Sequence, residues 1–141
     1  MFGFVFDAPP EWRADAIPEG IRLEIHREGA IVDGLAVLTV CADAPLDEIA
    51  QAARVEPMAG SLLRRQVDLL EVDDRPVLNI LDLEHVTEGG DALSQCYVGF
   101  VRDAEFDVAV RMEARLLTLE SFDDAAESFN RVLASVRVVE E

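Results

Sequence analysis

The stretch that decides the fold class is Ser121-Phe-Asp-Asp-Ala-Ala-Glu-Ser-Phe-Asn-Arg-Val-Leu-Ala-Ser-Val-Arg-Val-Val-Glu140. Ser121 fits the N-cap position of a helix, with Asp124 three residues further on. The acidic residues that follow fall on one helical face, and the apolar residues share the opposite face: Phe122, Ala125, Ala126, Phe129, Val132 and Leu133. The stretch therefore predicts a capped amphipathic helix and a short closing strand, and the apolar face of that helix needs a sheet to cover.

The middle of the chain predicts this sheet, because four strand-like runs follow one another closely. Asp73-Asp74 and residues 102–105 have turn chemistry, and residues 88–91, Glu-Gly-Gly-Asp, predict a hairpin tip. Consecutive strands with short connections form an antiparallel meander. We expect the four strands at residues 63–72, 76–86, 93–102 and 105–116.

The N-terminal part of the chain predicts one strand and one hairpin. Residues 2–6 are aromatic and strand-like. Because Pro9-Pro10 cannot continue a ladder, we expect Trp12 to fold back onto the edge of the core. Clean alternation over residues 22–28 and the apolar run over residues 31–42 predict the two arms of the hairpin.

A first helix is expected over residues 43–54, with Asp43 at its N-cap and an apolar stripe of Leu46, Ile49, Ala50 and Ala53. The chain has 141 residues and half of them are apolar, so it can bury a core of its own. We predict a single domain over residues 1–141. Its class is α+β, with helices packed on a mostly antiparallel sheet of about six to eight strands.

The charge of the chain is strongly unbalanced. It has 29 acidic and 12 basic residues, which gives a formal net charge of −17. Such a surface repels phosphate backbones and anionic headgroups, so we expect no nucleic-acid partner and no membrane insertion. Every basic residue is arginine, which excludes Schiff-base chemistry by lysine and the lysine of a phosphate loop. No apolar run approaches the roughly 20 residues of a membrane span, and the start at Met1 lacks a secretory signal, so we expect a cytoplasmic protein.

Few residues of this sequence predict chemistry. Cys41 and Cys96 lie within predicted strands among apolar neighbours, which is typical of buried reduced thiols, although a disulfide forms if the two strands meet in an oxidising compartment. A cysteine–histidine dyad with His26 or His85 stays open, because such pairs form in space rather than in sequence. Metal-ligand spacings and glycine-rich nucleotide motifs are absent from the sequence. We therefore expect no enzymatic activity, no cofactor and no metal site.

Two groups of charged residues allow two interpretations each. Asp82 and Glu84 share one face of a predicted strand, so they form either a weak cation site or a solvated face, and we prefer the solvated face. Four arginines form either an anion-binding patch or surface ion pairs with the surplus carboxylates, and we prefer the ion pairs. These are Arg64, Arg65, Arg111 and Arg115.

The candidate functional surface is the outer face of the predicted sheet, on the side away from the helices. The last meander strand alternates between apolar and charged residues, so its register is well specified. Tyrosine and arginine are enriched at interaction hot spots, which favours a protein-binding face. In the alternative arrangement, a second helix layer covers this face and leaves only a rim exposed. The predicted binding residues are Gln95, Tyr97, Arg111, Glu113 and Arg115.

Three segments, in this order of elements, give the chain a family resemblance: Ala8-Pro-Pro-Glu-Trp12, Leu46-Asp-Glu-Ile49 and Phe129-Asn-Arg-Val-Leu-Ala-Ser-Val136. The chain resembles the PsbP-like α/β/α sandwich superfamily, and within it the branch of LpqN-type lipoproteins and of DcrB-type and Eag-type secretion chaperones. The resemblance implies a PsbP-like sandwich that binds another protein through an open sheet or groove. It supplies no catalytic residues.

Two other functions stay open at this point. Type III secretion-type chaperones are also small, acidic and α/β, and they are dimers, but they typically begin with a helix rather than an aromatic strand. A small ligand-binding protein or enzyme would instead have a pocket between sheet and helices, with convergent polar groups. The expected partner is another protein, and the expected assembly is a monomer or a homodimer.

Overall fold

The computed structural model describes residues 2–26, 34–41, 45–56, 62–86, 92–116 and 122–140. Within these ranges the chain forms nine strands and two helices. The elements in chain order are β1 Phe2–Val5, β2 Arg13–Ile17, β3 Gly20–Ile25, β4 Gly34–Cys41, α1 Leu46–Val55, β5 Leu62–Val72, β6 Arg75–Val86, β7 Ala92–Asp103, β8 Val108–Leu116, α2 Phe122–Ser135 and β9 Arg137–Glu140.

Seven of the strands form one antiparallel sheet in the order β2-β3-β4-β8-β7-β6-β5, and β1 pairs with β9 in a separate two-stranded sheet. The neighbours β5, β6, β7 and β8 confirm the predicted meander, and the β3–β4 ladder confirms the predicted hairpin. The two halves of the sheet join where β4 pairs with β8, from Gly34 opposite Leu116 to Cys41 opposite Ala109. The α+β class is therefore confirmed.

The two helices lie on opposite faces of the large sheet. The core under α2 includes Val77, Tyr97 and Met112, whereas the core under α1 includes Leu78 and Phe100. Since side chains alternate along a strand, these two sets point in opposite directions. We call the two sides the α2 face and the α1 face, and the layers are helix, sheet and helix.

The α2 face carries the larger core, and α2 approaches the sheet very closely there. A Cβ atom added at Gly99 would lie 2.4 Å from the Leu133 side chain and 2.4 Å from the Tyr97 hydroxyl. Gly99 is therefore required by the close approach of helix to strand. As predicted, Trp12 covers the edge of this core, with its ring 5.6 Å from the ring of Phe129.

Several predicted boundaries differ from those in the structure. Strand β2 was not predicted, because its residues Arg13–Ile17 directly follow the Pro-Pro-Glu-Trp turn and show only a short alternation. The last turn of the meander lies later than residues 102–105. Asp103 accepts hydrogen bonds at 3.1 Å from the backbone N–H groups of Glu105 and Phe106, so its side chain starts the turn and Phe106 precedes β8.

The helix starts and one hairpin tip lie partly outside the described residues. Helix α1 begins at Leu46 with Pro45 at its N-cap position and without a side-chain cap hydrogen bond, while the predicted cap Asp43 lies outside the described residues. The same holds for the predicted cap Ser121 of α2 and for the predicted tip at residues 88–91. The predicted apolar stripe of α1 is confirmed, since Ala50 and Ala53 are buried against the sheet.

Candidate protein-binding face

Helix α1 covers only part of its face of the sheet. It packs on β5, β6 and β7, and Cys41 at the end of β4 joins the same apolar cluster. The other described residues on this face of β3, β4 and β8 do not belong to that cluster. Leu23 and Leu38 are buried in the core on the α2 face. Because side chains alternate along a strand, the residues next to them point to the opposite side of the sheet. We call the uncovered area the open face, and its residues are Arg22, Glu24, Leu35, Val37, Thr39, Arg111, Glu113 and Arg115.

The open face has an apolar centre between two charged strands. Leu35 of β4 lies opposite Glu24 of β3 on one side and opposite Arg115 of β8 on the other. One row further along, Val37 takes the same central position between charged neighbours. Leu35 remains 47% exposed although its strand is in the interior of the sheet. Leu35 and Val37 therefore form a small apolar centre with a charged rim, which is the arrangement of an interface core and its surround.

The charged residues of the open face form ion pairs along and between strands. Arg111 contacts Glu113 at 3.0 Å, and Arg115 contacts Glu84 of β6 at 3.2 Å. On β3, Arg22 lies 3.9 Å from Glu24, whose carboxylate also lies 3.3 Å from the ring of His26. These side chains are partly solvated, so exchanging one carboxylate partner for another changes their free energy little. The arginines of this face can therefore pair with a partner protein at low cost.

The structure separates the five predicted binding residues into two groups. Arg111, Glu113 and Arg115 lie on the open face, as predicted. The prediction that Gln95 and Tyr97 share this face is wrong, because the β7–β8 register places Cys96 opposite Arg115 and Val98 opposite Glu113. The residues between them, Gln95 and Tyr97, therefore point to the α2 face. Strand β7 has apolar residues on both faces, so alternation alone could not assign its direction.

Tyr97 is a structural residue of the α2 core. It is fully buried, and its hydroxyl donates a hydrogen bond of 2.6 Å to the side-chain oxygen of Asn130 in α2. The amide of Asn79 in β6 donates to the same oxygen at 2.7 Å, and Asn130 donates back to Asn79 at 2.9 Å. Burial raises the pKa of Tyr97 above its ordinary value. This closed network connects α2 to the middle of the sheet.

The two thiols are free and lie far apart. Cys41 pairs with Ala109, and Ala109 pairs with Arg102 on β7, six residues along that strand from Cys96. This separation is about 20 Å, well beyond the reach of a disulfide. Burial raises the pKa of Cys96 from 9.0 to about 11, so this thiol is protonated at neutral pH. His26 is three strands away from Cys96 across the sheet, while the His85 side chain lies outside the described residues.

The preferred interpretation of Asp82 and Glu84 as a solvated face is wrong for Asp82, which is buried, and arginines neutralise both carboxylates of this pair. The Arg65 guanidinium donates to both oxygens of Asp82, at 2.8 and 2.9 Å, and it also contacts Glu56 at 2.9 Å. The hydrogen bond with Asp82 raises the pKa of Arg65 further above its ordinary value. Glu84 pairs with Arg115. The ion-pair interpretation is thus confirmed for Arg65, Arg111 and Arg115.

A cleft of about 460 Å³ opens at the C-terminal end of α2. Its wall includes Arg75, whose guanidinium donates to the backbone carbonyl oxygens of Ala134 at 3.1 Å and of Arg102 at 2.7 Å, and also to that of Val136. On the same wall, Asp103 accepts a hydrogen bond of 2.8 Å from the backbone N–H of Val138. These polar groups connect α2, β7 and β9 to one another. The cleft is therefore a junction of elements at which Arg75 and Asp103 are held by hydrogen bonds within the chain.

The layered α+β fold is shared with a solved protein of very different sequence. No family model matches the sequence, and no curated protein matches it. Among solved structures, the fold is similar to the crystal structure of LpqN, described as involved in cell envelope biogenesis of Mycobacterium tuberculosis. The TM-score is 0.61 with 7% sequence identity, and the match covers 99% of this chain and 85% of LpqN. At this identity the similarity shows a shared fold.

The described helices are short. Helix α1 has 10 residues and α2 has 14, whereas a helix needs about 20 apolar residues to cross a bilayer. Within the described ranges, no helix has the length and hydropathy of a membrane span.

Proposed function

We propose that this protein is a non-enzymatic protein-binding module, with a chaperone-like or adaptor role, that uses the open face to hold its partner. The observation that carries the proposal is Leu35, which is about half exposed in an interior strand between two charged strands. The sequence resemblance to the PsbP-like superfamily and its LpqN-type branch supports this assignment, and so does the fold shared with LpqN.

The composition of the open face favours a protein partner over other ligands. Its centre is aliphatic, and its edges hold arginine and glutamate in near balance, which is the pattern of an apolar interface core with a polar rim. The net charge of −17 for the whole chain disfavours phosphate backbones and anionic membranes. A partner with an exposed apolar patch and charges of both signs fits this face.

The geometry of the reactive groups supports the non-enzymatic part of the proposal. A cysteine nucleophile needs a thiolate and a base within hydrogen-bond distance. The raised pKa of Cys96 keeps its thiol protonated, and His26 contacts Glu24 instead of a thiol. Both thiols are also too far apart to form a redox pair.

The test is affinity capture from the native cells with two matched variants, followed by mass spectrometry. Leu35→Asp places a carboxylate in the centre of the open face. Val5→Asp makes the same change on β1, where Val5 is 54% exposed and belongs to the separate β1–β9 sheet. The proposal predicts a partner that is captured by the native chain and by the Val5 variant but is reduced at least about tenfold by the Leu35 variant. Equal capture by both folded variants would contradict it.

We also propose that the protein acts in the cytoplasm. The fold places Cys41 and Cys96 too far apart for a disulfide, and a fold that does not rely on disulfides is typical of reducing compartments. LpqN, which shares the fold, is described as involved in cell envelope biogenesis, so an envelope location is the alternative to test. Cell fractionation with an antibody against the native chain should place it in the cytosolic fraction, and recovery in the envelope fraction would overturn this proposal.

A further inference from the structure

Strand β5 is the outermost strand of the large sheet and is long for that position. It spans Leu62–Val72 and pairs with β6 along one side, while no described strand pairs with its other side. An edge of this length presents a row of backbone N–H and C=O groups that can pair with another chain. Three large aliphatic side chains on it are about half exposed: Leu63 at 52%, Leu69 at 51% and Leu70 at 41%.

The sequence of this edge is complementary to itself. It is Leu62-Leu63-Arg64-Arg65-Gln66-Val67-Asp68-Leu69-Leu70, with a leucine pair at each end and with opposite charges at equal distances from Gln66. If a second copy of β5 lies antiparallel to the first with Gln66 at the centre, Arg64 of each copy faces Asp68 of the other. Opposite charges in directly facing positions stabilise a strand pair, and a two-fold axis makes each such contact twice.

The backbone of β5 is in the correct phase for this register. The turn Asp73-Asp74 has positive φ at both residues, 49° and 64°, as in a type I′ two-residue hairpin. In such a hairpin the flanking residues Val72 and Arg75 form a hydrogen-bonded pair. Every second residue from Val72 back to Gln66 therefore directs its backbone N–H and C=O groups towards β6. The backbone groups of the intervening residues point outward. With Gln66 on the axis, Arg65 of one copy lies opposite Val67 of the other. The outward-pointing backbone N–H and C=O groups of these two residues therefore face each other and can form hydrogen bonds.

The leucines lie at the ends of the proposed ladder. A β-bulge between Leu62 and Arg64 bends the strand, so the regular pairing extends from Arg64 to Asp68. Beyond these residues, Leu63 of one copy approaches Leu69 and Leu70 of the other. Burying these side chains removes most of the exposed aliphatic surface of the strand.

We infer that this protein forms a homodimer in which two β5 strands pair antiparallel around Gln66 and join two sheets into one continuous sheet. Strands β6 and β7 separate β5 from the nearest strand of the open face, so dimerisation leaves that face accessible. The inference is independent of the proposed function, and either can fail without the other.

A charge exchange across the two-fold axis tests the inference. Sedimentation equilibrium near physiological salt, where the Debye length of about 8 Å screens the net repulsion, should show a concentration-dependent dimer. R64D and D68R each place like charges in facing positions twice, and each should weaken the dimer about tenfold. The double variant R64D/D68R restores opposite charges and should return the dissociation constant to within about threefold of the native value. Circular dichroism checks that every variant keeps the fold.

A cysteine crosslink tests the register without altering charge pairs. Gln66 lies on the axis, so Q66C should give a disulfide-linked dimer under mild oxidation. The matched control E71C, also on the exposed edge, should not, because the two copies of residue 71 lie far apart in this register. A native chain that stays monomeric, a dimer that neither R64D nor D68R weakens, or equal crosslinking of both cysteine variants would overturn the inference. A native monomer whose β5 edge takes up a strand of a different protein would also overturn it.

Discussion

Asn130 shows how a polar side chain on the apolar face of a helix can determine packing. It accepts hydrogen bonds from Tyr97 and Asn79, and it donates one back to Asn79, all inside the α2 core. The apolar periodicity of α2 places the neighbouring Phe129 on this face and indicates no role for Asn130. A helical pattern records which residues are apolar, and it contains no information about polar partners on distant strands.

The Asn130 network gives a first prediction. Asn130→Leu removes hydrogen bonds from two buried partners, so Asn79 and Tyr97 lose their acceptor while remaining out of contact with water. We expect the free energy of unfolding to fall by about 2–3 kcal/mol, measured by urea denaturation. Ser128→Ala, on the same helix but only half-buried, is the control and should change it by less than about 0.5 kcal/mol.

Buried Cys96 and Tyr97 give a second prediction, for alkaline pH. The pKa of Cys96 is about 11 in the folded chain and near its ordinary value of 9.0 in the unfolded chain. Between these values the unfolded state releases a proton that the folded state keeps, so stability falls as pH rises through this window. Below the window the contribution of the Cys96 thiol to stability is fully present. Tyr97 acts with the same sign at higher pH, since burial raises its pKa as well.

The measurement is the urea midpoint as a function of pH. The native midpoint should fall steadily above about pH 9, and Cys96→Ala should reduce that slope between pH 9 and 11. An equal slope in both proteins would show that the Cys96 thiol does not stay protonated in the folded state.

Between elements, Arg75 of β6 caps the C-terminus of helix α2. Its guanidinium lies at the C-terminal carbonyl groups of that helix, which have no partners within the helix. We predict that Arg75→Met destabilises the fold by about 1–3 kcal/mol and speeds amide hydrogen exchange in the last turn of α2 and in β9. Exchange in α1, on the other face of the sheet, should be unchanged. If exchange speeds up uniformly over the chain, Arg75 does not act as a local cap.

The β5–β6 turn gives a prediction of the opposite sign. Asp73 and Asp74 both have positive φ, a conformation that glycine and asparagine adopt at lower free energy than aspartate. The double substitution D73N/D74G should therefore stabilise the chain by about 1 kcal/mol. A higher melting temperature checks this. A decrease would mean that the aspartates make favourable contacts that outweigh their backbone strain.

The elements also show what the sequence could and could not determine. Strand β8 and helix α2 were predicted well, because apolar and polar residues separate cleanly onto their two faces. The predicted orientation of Tyr97 in β7 is wrong. Cys96, Val98 and Phe100 make the other face of this strand apolar too, so alternation could not show which face Tyr97 is on. The β1–β9 and β4–β8 pairings join distant segments, and nothing in local periodicity reports such contacts.

At the scale of the whole molecule, the charge is distributed unevenly over the surface. The open face holds three arginines and two glutamates, although the chain as a whole carries −17. The surplus of negative charge therefore lies on the rest of the surface, where it favours solubility. A partner of either charge can approach the open face without local repulsion.

The measurement that tests the protein-binding function most directly is site-specific photocrosslinking in the native cells. A benzoylphenylalanine replaces Leu35 on the open face in one protein, and in the control it replaces Arg131, an exposed residue of α2 on the opposite side of the sheet. We predict a discrete heavier adduct from position 35 that is absent at position 131. No adduct from position 35, or the same adducts from both positions, would contradict a binding role for the open face.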